Sequence, residues 1–290
     1  MCRLGSEREA VTTPLEAQVR KAHAFRALHQ RNSAFIIPNP WDRGTARILA
    51  HLGFEALATT SAGFAFSLGQ ADNTVGRDEI LAHIRAIVEA TDLPVSADLE
   101  SGFGDSPDRV AKTIRLAAEA GAVGGSIEDA TGLVDEPIFA HDVAADRVRA
   151  AAEAARNLGF PFTLTARCEN HLVGRADLAD TIKRLQAYQE SGADVLYAPG
   201  LLTRADITEV VRSLDRPVNV VMGLSGVALS LADLSALGVR RVSVGSALSR
   251  TALGAFLGAC AEMKEHGTFA FAQGAAGTIE LNRLFLTSFS

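Results

Sequence analysis

Two acidic side chains, Asp98 and Glu100, follow the short apolar segment Leu93-Pro94-Val95, which is typical of a buried strand. Alternate residues of an extended segment point to the same side of the chain, so these two carboxylates can converge on one hard cation. Mg²⁺ is the natural candidate. Gly102 and Gly104 come next and let the backbone turn tightly beside a ligand. This stretch predicts a metal-dependent site at the end of a strand.

Polar side chains recur where the other predicted strands end. They are Trp41, Asp42, Thr60, Ser61, Gly63, Asp72, Asp98, Glu100, Glu128, Asp129, Arg167, Glu169 and Asn219. Any one of them, taken alone, is more often structural than functional. Because the carboxyl ends of parallel strands meet at one rim, these residues together predict a site for a divalent cation and an anionic organic ligand.

The chemistry that suits such a site is stabilisation of an enolate. A 2-oxo acid can chelate Mg²⁺ through its carboxylate and keto oxygens, and the cation then stabilises charge on the keto oxygen. Arg167 is expected to hold the substrate carboxylate through two hydrogen bonds. The backbone amides of Ser61, Ala62 and Gly63 are expected to add further donors.

Eight short apolar strands alternate with helical segments along the chain. The strands are predicted at 34–38, 56–60, 93–95, 124–128, 162–166, 195–198, 218–221 and 242–244. The helices between them are predicted from Asp42 to Leu52 and at 77–90, 106–120, 142–158, 178–190, 203–213 and 230–237, with 61–72 as a long loop. Strands buried on both faces and separated by helices predict a (β/α)₈ TIM barrel.

Composition limits the possible classes of function. The 290 residues are 48% hydrophobic and 21% charged, which suffices for a full core, and the net charge of −6 argues against nucleic acid or a membrane surface as partner. The three cysteines form neither a disulfide framework nor a zinc pattern. Without a long apolar run or a signal-peptide pattern, the chain is expected to be cytoplasmic.

Three regions are predicted: a tail and helix at 1–32, a catalytic barrel at 33–250, and a helical oligomerisation segment at 251–290. The helix from Pro14 to Gln30 is expected to cover the bottom of the barrel. Beyond Ser246 the chain carries many apolar residues, which need a partner surface. We therefore expect a homo-oligomer.

Five motifs in order resemble the isocitrate lyase/phosphoenolpyruvate mutase superfamily, over about residues 33 to 250. They are Thr60-Ser61-Ala62-Gly63, Leu68-Gly69-Gln70-Ala71-Asp72, Asp98-Leu99-Glu100-Ser101-Gly102-Phe103-Gly104, Ser126-Ile127-Glu128-Asp129 and Thr165-Ala166-Arg167. The resemblance implies a (β/α)₈ barrel whose C-terminal helix is swapped between the subunits of a dimer or tetramer.

The resemblance also implies residue roles. The metal-binding aspartate of the family, which takes Mg²⁺ with Mn²⁺ as an alternative, matches Asp98. Its water-mediated metal contacts match Asp72, Glu100 and Glu128. The arginine that binds the substrate carboxylate matches Arg167, and the backbone anion site matches Ser61, Ala62 and Gly63. Trp41 and Asn219 are expected to contact substrate, and Asp72 and Glu169 join Arg167 as catalytic candidates.

Departures from the family pattern narrow the activity. Isocitrate and methylisocitrate lyases carry a catalytic cysteine in a loop after the fourth strand, but here residues 128–137 contain none. The lysine- and asparagine-containing gating loop of the phosphoenolpyruvate mutases is missing from the same place, as are the His and Ser after the sixth strand. The chain therefore resembles the cysteine-less branch, where oxaloacetate decarboxylase-like members fall.

We accordingly expect a Mg²⁺-dependent lyase that cleaves a C–C bond of a small 2-oxo-carboxylate, or of a 2-hydroxy acid giving one. The alternatives are a phosphonomutase or phosphonopyruvate hydrolase, and a non-catalytic 2-oxo-acid-binding barrel. The proton donor is left open among Glu169, His171, Tyr197 and a metal-bound water. Cys168 is expected to be a packed, inert thiol, and the Arg240-Arg241 pair to be solvated.

Overall fold

The computed structural model describes residues 13–223 and 228–286, and these contain one eight-stranded parallel sheet. Its strands are β1 Phe35–Ile37, β2 Leu57–Ala58, β3 Val95–Asp98, β4 Gly124–Glu128, β5 Thr163–Arg167, β6 Val195–Tyr197, β7 Val218–Val221 and β8 Arg241–Ser243. Neighbours in sequence pair from β2 to β8, and β8 pairs with β1. Between β1 and β2 the amide of Ala58 donates to the carbonyl of Pro38 at 3.1 Å. The predicted (β/α)₈ barrel is confirmed.

Helices follow the strands and form the outer layer. They are α1 Pro14–His29, α2 Arg43–His51, α3 Ser61–Ser67, α4 Arg77–Glu89, α5 Pro107–Glu119, α6 His141–Arg156, α7 Leu178–Glu190, α8 Arg204–Arg212, α9 Leu231–Ala236, α10 Ala247–His266 and α11 Thr278–Leu286, with a 3₁₀ turn at Ala270–Gly274. In the described residues, no helix combines the length and the apolar character needed to cross a membrane.

Helix α1 closes the end of the barrel where the strands begin. Its Phe25 is fully buried against β1 and the start of β4. A Cβ at Gly124 would lie 2.8 Å from both the Phe25 ring and the Thr163 carbonyl oxygen, so only glycine fits there. The side chain of Gln18 donates to the carbonyls of Ala118 and Ala122 at 2.8 and 3.0 Å. The expectation that this helix covers the bottom of the barrel is confirmed.

Three local predictions were wrong. The predicted loop at 61–72 begins with helix α3, because the Thr60 side chain accepts a hydrogen bond from the Gly63 amide and so caps a helix. Strand β3 runs on to Asp98, so the acidic loop starts at Leu99 rather than Ser96. Glu100 has a φ of +49°, which is not extended, so the alternation argument does not apply to Asp98 and Glu100.

The segment after the barrel exposes apolar side chains. In α10 only Ser249 is buried, while Phe256 and Leu257 are 64% and 66% exposed. Helix α11 returns to α2, where Arg47 donates to the Phe285 carbonyl at 2.8 Å. These exposed apolar side chains lie in the segment that was expected to need a partner surface. Residues 1–12 and 287–290 of the two predicted terminal regions lie outside the described residues.

Candidate active site

Arg167, the last residue of β5, lies at the centre of the polar rim. Its Nε and Nη2 atoms both approach Oε1 of Glu169 at 2.9 Å. Its Nη1 atom lies 3.1 Å from Asp98 Oδ1 and 3.0 Å from Glu128 Oε2. The ring of Tyr197 lies beside the guanidinium, 5.3 Å from Cζ to the ring centre. One buried cation therefore joins the carboxyl ends of β3, β4 and β5.

Asp98, the last residue of β3, is fixed by hydrogen bonds from two neighbouring elements. The amide and hydroxyl of Ser61, at the start of α3, both donate to Oδ2 at 2.9 Å. The hydroxyl of Ser126 lies 3.5 Å from Oδ1. The Asp98 amide donates to the Thr59 hydroxyl at 2.8 Å. A carboxylate held in this way has little freedom to move away from a ligand.

Negative charge exceeds positive charge at this rim. The carboxylates of Asp72, Asp98, Glu100, Glu128 and Glu169 surround the single guanidinium of Arg167. Burial, followed by repulsion from Asp98 and Asp72, raises the pKa of Glu100 to about 7. Burial also raises the pKa of Glu169, and raises the pKa of Glu128 well above its usual value. Burial and the charge of Asp98 raise the pKa of Asp72.

The neighbouring acids stabilise the charged form of Arg167, whereas burial favours the neutral form of each acid. Burial alone would lower its pKa, but Glu128, Glu169 and Asp98 raise that pKa well above the usual value. Arg167 therefore remains a cation, and it offsets only part of the surrounding negative charge.

These residues fit a divalent cation held largely through water. Oxygen ligands are the ones Mg²⁺ takes, and the surplus of buried negative charge would be reduced by a dication. Within 13–223 and 228–286, no three acidic, histidine or cysteine side chains are arranged to hold a metal directly. Mg²⁺ usually keeps several waters and one or two protein carboxylates, so a single direct carboxylate with water-mediated neighbours is compatible with this rim.

A cavity of about 480 Å³ opens above Arg167. Its lining includes the predicted residues Ser61, Ala62, Asp72, Asp98, Glu128, Arg167 and Glu169. Leu133 and Val134, at the tip of the loop after β4, line its mouth and are largely exposed. The base of that loop is held by an antiparallel bridge between Ala130 and Ile138. The volume of the cavity falls in the range of about 300–1,000 Å³ that small-molecule sites occupy.

Six residues of the predicted polar rim lie outside the lining of this cavity: Trp41, Asp42, Gly63, Glu100, Asp129 and Asn219. Asp42 caps α2 instead, where its Oδ1 accepts from the Thr45 amide at 2.7 Å. Trp41 and Gly63 pack together, since a Cβ at Gly63 would be 3.2 Å from Cβ of Trp41. Glu100 interacts with Asp98, Asp72 and Arg167 through its charge. Asn219 lies deeper in the barrel, where it donates to the Ser243 hydroxyl at 3.0 Å.

Two of the three backbone amides expected to bind an anion already have acceptors. The Ser61 amide donates to Asp98, and the Gly63 amide donates to the Thr60 hydroxyl at 3.2 Å. The remaining residue of that motif, Ala62, lines the cavity. Any role for the first two amides in ligand binding therefore requires them to exchange partners.

The proton-donor candidates are separated by position. Glu169 and Tyr197 line the cavity, whereas His171 does not and packs beside Gly200 instead. Burial raises the pKa of the Tyr197 hydroxyl, so it stays protonated at neutral pH. Cys168 is fully buried and burial raises the pKa of its thiol, which confirms the expectation of a packed, inert cysteine.

Three buried arginines, Arg147, Arg184 and Arg241, were missed by the sequence reasoning. Arg147 of α6 donates to the carbonyl of Gly104 at 2.7 Å, and to those of Ser101 and Asp105, so it holds the loop after β3. Arg241 was expected to be solvated, but it is 5% exposed inside the barrel, because β8 begins one residue earlier than predicted. The inward alternation of β8 is the signal that indicates its burial.

Asp129 serves the site indirectly. Its Oδ1 accepts from the Glu169 amide at 2.8 Å, and its Oδ2 accepts from the hydroxyl of Tyr188. Arg184 lies 3.3 Å from the same Oδ2 atom. Of the two acidic residues at the end of β4, Glu128 therefore faces the cavity, while Asp129 fixes the backbone that carries Glu169.

Comparisons with known proteins agree with this geometry. A family model described as phosphoenolpyruvate phosphomutase matches residues 25–264. A crystal structure of a candidate lyase/mutase from Burkholderia cenocepacia J2315 is 64% identical, with a TM-score of 0.92, and covers 94% of this chain and 98% of that one. The 2-methylisocitrate lyase of Escherichia coli K12 is 30% identical over 67% of each chain. The crystal structure of 2,3-dimethylmalate lyase is 26% identical, with a TM-score of 0.81, and covers 96% of both chains.

Proposed function

The chain belongs to the phosphoenolpyruvate phosphomutase family, within the isocitrate lyase/phosphoenolpyruvate mutase superfamily of lyases and mutases, and on this premise we propose its reaction. The protein is a Mg²⁺-dependent lyase that cleaves a C–C bond of a small 2-oxo-carboxylate, or of a 2-hydroxy acid giving one, through an enolate. Two lyases among its relatives, 2-methylisocitrate lyase and 2,3-dimethylmalate lyase, support this reaction class.

The observation that carries the proposal is the position of Arg167. Its guanidinium lies among Asp98, Glu128 and Glu169 at the floor of a cavity of about 480 Å³. Asp98 would hold Mg²⁺ directly, and Asp72, Glu100 and Glu128 would act through water. Mn²⁺ has similar ligand preferences and is expected to substitute. When bound, the metal ion supplies positive charge against the oxygens of the substrate on which charge develops.

The protein's own groups orient the substrate and handle the proton. Arg167 attracts the substrate carboxylate, although its Nε–Nη2 edge is engaged by Glu169. Glu169 lines the cavity, and its carboxyl group would deliver the proton to the enolate carbon; burial raises its pKa, while the contact with Arg167 acts in the opposite direction. Asp72 lines the same cavity and also has a raised pKa, which makes it the second acid–base candidate.

The test is turnover of a substrate panel by the purified protein with Mg²⁺. The panel contains oxaloacetate, 2-methylisocitrate, phosphonopyruvate and 2-oxoglutarate, and release of pyruvate, CO₂ and phosphate is followed. Asp98→Asn is expected to lower kcat by about 10²–10³, as removal of one preorganised electrostatic group does. Asp108→Asn, at the exposed start of α5, is the matched control and should retain activity.

The outcomes of this panel separate the alternatives. Metal-dependent pyruvate release that is lost in Asp98→Asn supports the lyase. Turnover of phosphonopyruvate alone supports P–C bond chemistry, the second candidate, which the family model itself favours. Metal-dependent binding of pyruvate in calorimetry, without turnover of any panel member, would replace the lyase proposal with a binding role.

We also propose that the chain assembles as a homodimer or tetramer through its C-terminal segment, with α10 exchanged between subunits. The exposed apolar side chains of Phe256, Leu257 and Phe269 support this assembly, because patches of this kind are uncommon on monomers. Residues 33–250 would then be the catalytic unit and 251–290 the oligomerisation segment. A cytoplasmic location remains a prediction.

A further inference from the structure

Arg241 is a buried cation that has no carboxylate partner among the described residues. It opens β8, is 5% exposed, and its Nε donates to Asn219 Oδ1 at 2.8 Å. Its Nη1 atom is buried without any hydrogen-bond partner. The ion pairs found within 13–223 and 228–286 do not include it.

A buried charge of this kind is costly. Charged groups removed from water are normally paired, because neither burial nor a neutral hydrogen bond replaces their hydration. Burial lowers the pKa of Arg241 to about 10, which leaves the side chain charged at neutral pH. Burial and then the charge of Arg241 lower the pKa of His29 to about 3, so the positive field reaches the bottom of the barrel. The protein therefore gains stability from any anion that reaches Arg241.

A small cavity lies next to this guanidinium. It measures about 60 Å³, and its lining includes two cationic side chains, Arg241 and Arg167, one carboxylate, Asp98, and the polar side chains of Asn219, Ser243 and Tyr197. One water requires about 10–15 Å³ measured in this way, whereas small-molecule sites occupy about 300 Å³ or more. The cavity therefore accommodates an ion of roughly water size and excludes an organic substrate.

Strand register places these groups on one side of the sheet. Arg167 pairs with Tyr197, Tyr197 pairs with Asn219, and Asn219 pairs with Arg241 on successive strands. Paired residues of parallel strands point to the same side, so this series runs from the rim down into the barrel interior.

Two further polar atoms inside the barrel lack partners. The hydroxyls of Thr163 and Thr165 are buried without a hydrogen bond, and both residues lie on β5. Arg167 of the same strand faces the interior, and alternation places Thr165 and Thr163 on that side as well. Hydroxyls can donate to an anion, but neither threonine lines the 60 Å³ cavity, so Arg241 is the principal donor to an anion there.

We propose that the barrel interior binds a small monovalent inorganic anion, a halide the size of chloride or bromide, with Arg241 as its principal partner. The anion lies in the cavity beneath the rim and balances the charge of Arg241. The two cavities are adjoining, because Asp98, Arg167, Tyr197 and Gly245 line both of them, and Arg241 lines only the smaller one.

The direct test is anomalous diffraction from crystals of the full chain soaked in sodium bromide. A bromide peak within hydrogen-bond distance of Arg241 Nη1 is expected. Bromide peaks confined to the protein surface would overturn the proposal, because the cavity would then hold only water.

A solution test uses thermal unfolding at constant ionic strength, with bromide exchanged for gluconate, which is too large for the cavity. The midpoint is expected to rise by a few degrees as bromide replaces gluconate, because a ligand that binds only the folded state stabilises it. Arg241→Met should abolish the rise. Arg240→Met should keep it, because Arg240 bonds to the Gly238 carbonyl of its own turn.

A midpoint that responds equally in all three proteins would contradict the site, since the effect would then be one of salt in general. If Arg241→Met does not fold, the bromide diffraction of the unaltered protein decides the question alone.

Discussion

At the scale of single residues, the rim depends on how one guanidinium is shared among several carboxylates. Arg167 approaches Asp98, Glu128 and Glu169 within 3.1 Å, so each of these acids affects the position and charge of the others. Substitutions at such a site are not expected to be additive. The role of each rim side chain is therefore measured most clearly with a single isosteric substitution.

Glu169→Gln should lower kcat by about 10²–10⁴ if Glu169 donates the proton, because the amide cannot transfer one. KM and Mg²⁺ affinity should change little, and the limb of the pH–rate profile that reports this acid should disappear. Tyr197→Phe is the comparison, since Tyr197 lines the same cavity. Loss of activity in Tyr197→Phe alone would transfer the role to tyrosine.

Glu100→Gln should make the metal-free protein more stable than the unaltered one at pH 8. The pKa of Glu100 is raised to about 7 in the folded state, above its ordinary value of 4.5, so folding favours its protonated form. Its favourable contribution is complete below pH 4.5 and is lost as pH rises through 7. Thermal midpoints of both proteins from pH 5 to pH 9 measure the difference. A difference that is constant with pH would contradict the shift.

Some site residues could be predicted from sequence and others could not. Glu128 ends a predicted strand, and Asp98 and Arg167 follow the ends of two others, so strand position brought them to one rim; all three end the observed strands. Arg241 was missed because the predicted strand began at Val242, which left Arg241 outside the barrel and in the preceding turn. The alternation that was expected to place Glu100 beside Asp98 fails, because Glu100 has a left-handed backbone conformation that its residue type does not signal.

At the scale of elements, Asn39 joins the ends of three strands. Its amide nitrogen donates to the Thr59 carbonyl after β2 at 3.0 Å. Its amide oxygen accepts from the Val244 and Gly245 amides after β8, both at 3.0 Å. Because β1 and β2 are joined by only one backbone hydrogen bond among the described residues, this buried side chain carries much of the connection.

Asn39→Ala should lower the free energy of unfolding by about 2–4 kcal/mol, because it leaves more than one buried backbone group without a partner. Chemical denaturation measures the loss. Asn157→Ala is the control, as Asn157 is exposed at the end of α6, has an ordinary φ of −88°, and makes no comparable connection in the described structure. A loss below about 1 kcal/mol would mean that water replaces the amide.

Helix α3 illustrates why elements near functional sites are difficult to predict. Its seven residues, Ser61–Ser67, are too few for an apolar periodicity, and the glycine at its third position suggests a loop. The glycine is instead required by packing, since a Cβ there would lie 2.6 Å from the Thr60 methyl group. The longer helices α5 and α7 carried enough periodicity, and their predicted bounds agree closely with those observed.

At the scale of the whole molecule, the proposed assembly depends on α10. A double substitution, Phe256→Glu with Leu257→Glu, should convert the oligomer into a monomer, because two buried charges would replace two apolar contacts. Sedimentation velocity measures the change. Leu52→Glu is the matched control, because Leu52 is 65% exposed at the end of α2 and should not alter the mass. An unaltered protein that already sediments as a monomer would refute the assembly.

The barrel as a whole was predictable because its signal is repeated. Eight strand–helix alternations reinforce one another, so errors of one or two residues at individual ends do not change the topology. The position of α10 was less accessible, since its apolar residues indicate burial without indicating which surface covers them.

In the described part of the chain, one backbone hydrogen bond, from Ala58 to Pro38, joins β1 and β2, and this also affects local opening of the barrel. Amide protons in a continuous sheet exchange with solvent only when several neighbouring bonds open together, whereas an isolated bond opens alone. The Ala58 amide is therefore expected to take up deuterium earlier than the amides of β4 and β5, which share a longer ladder. Unfolding is therefore expected to begin with separation of β1 from β2, the most weakly joined pair of neighbouring strands in the barrel.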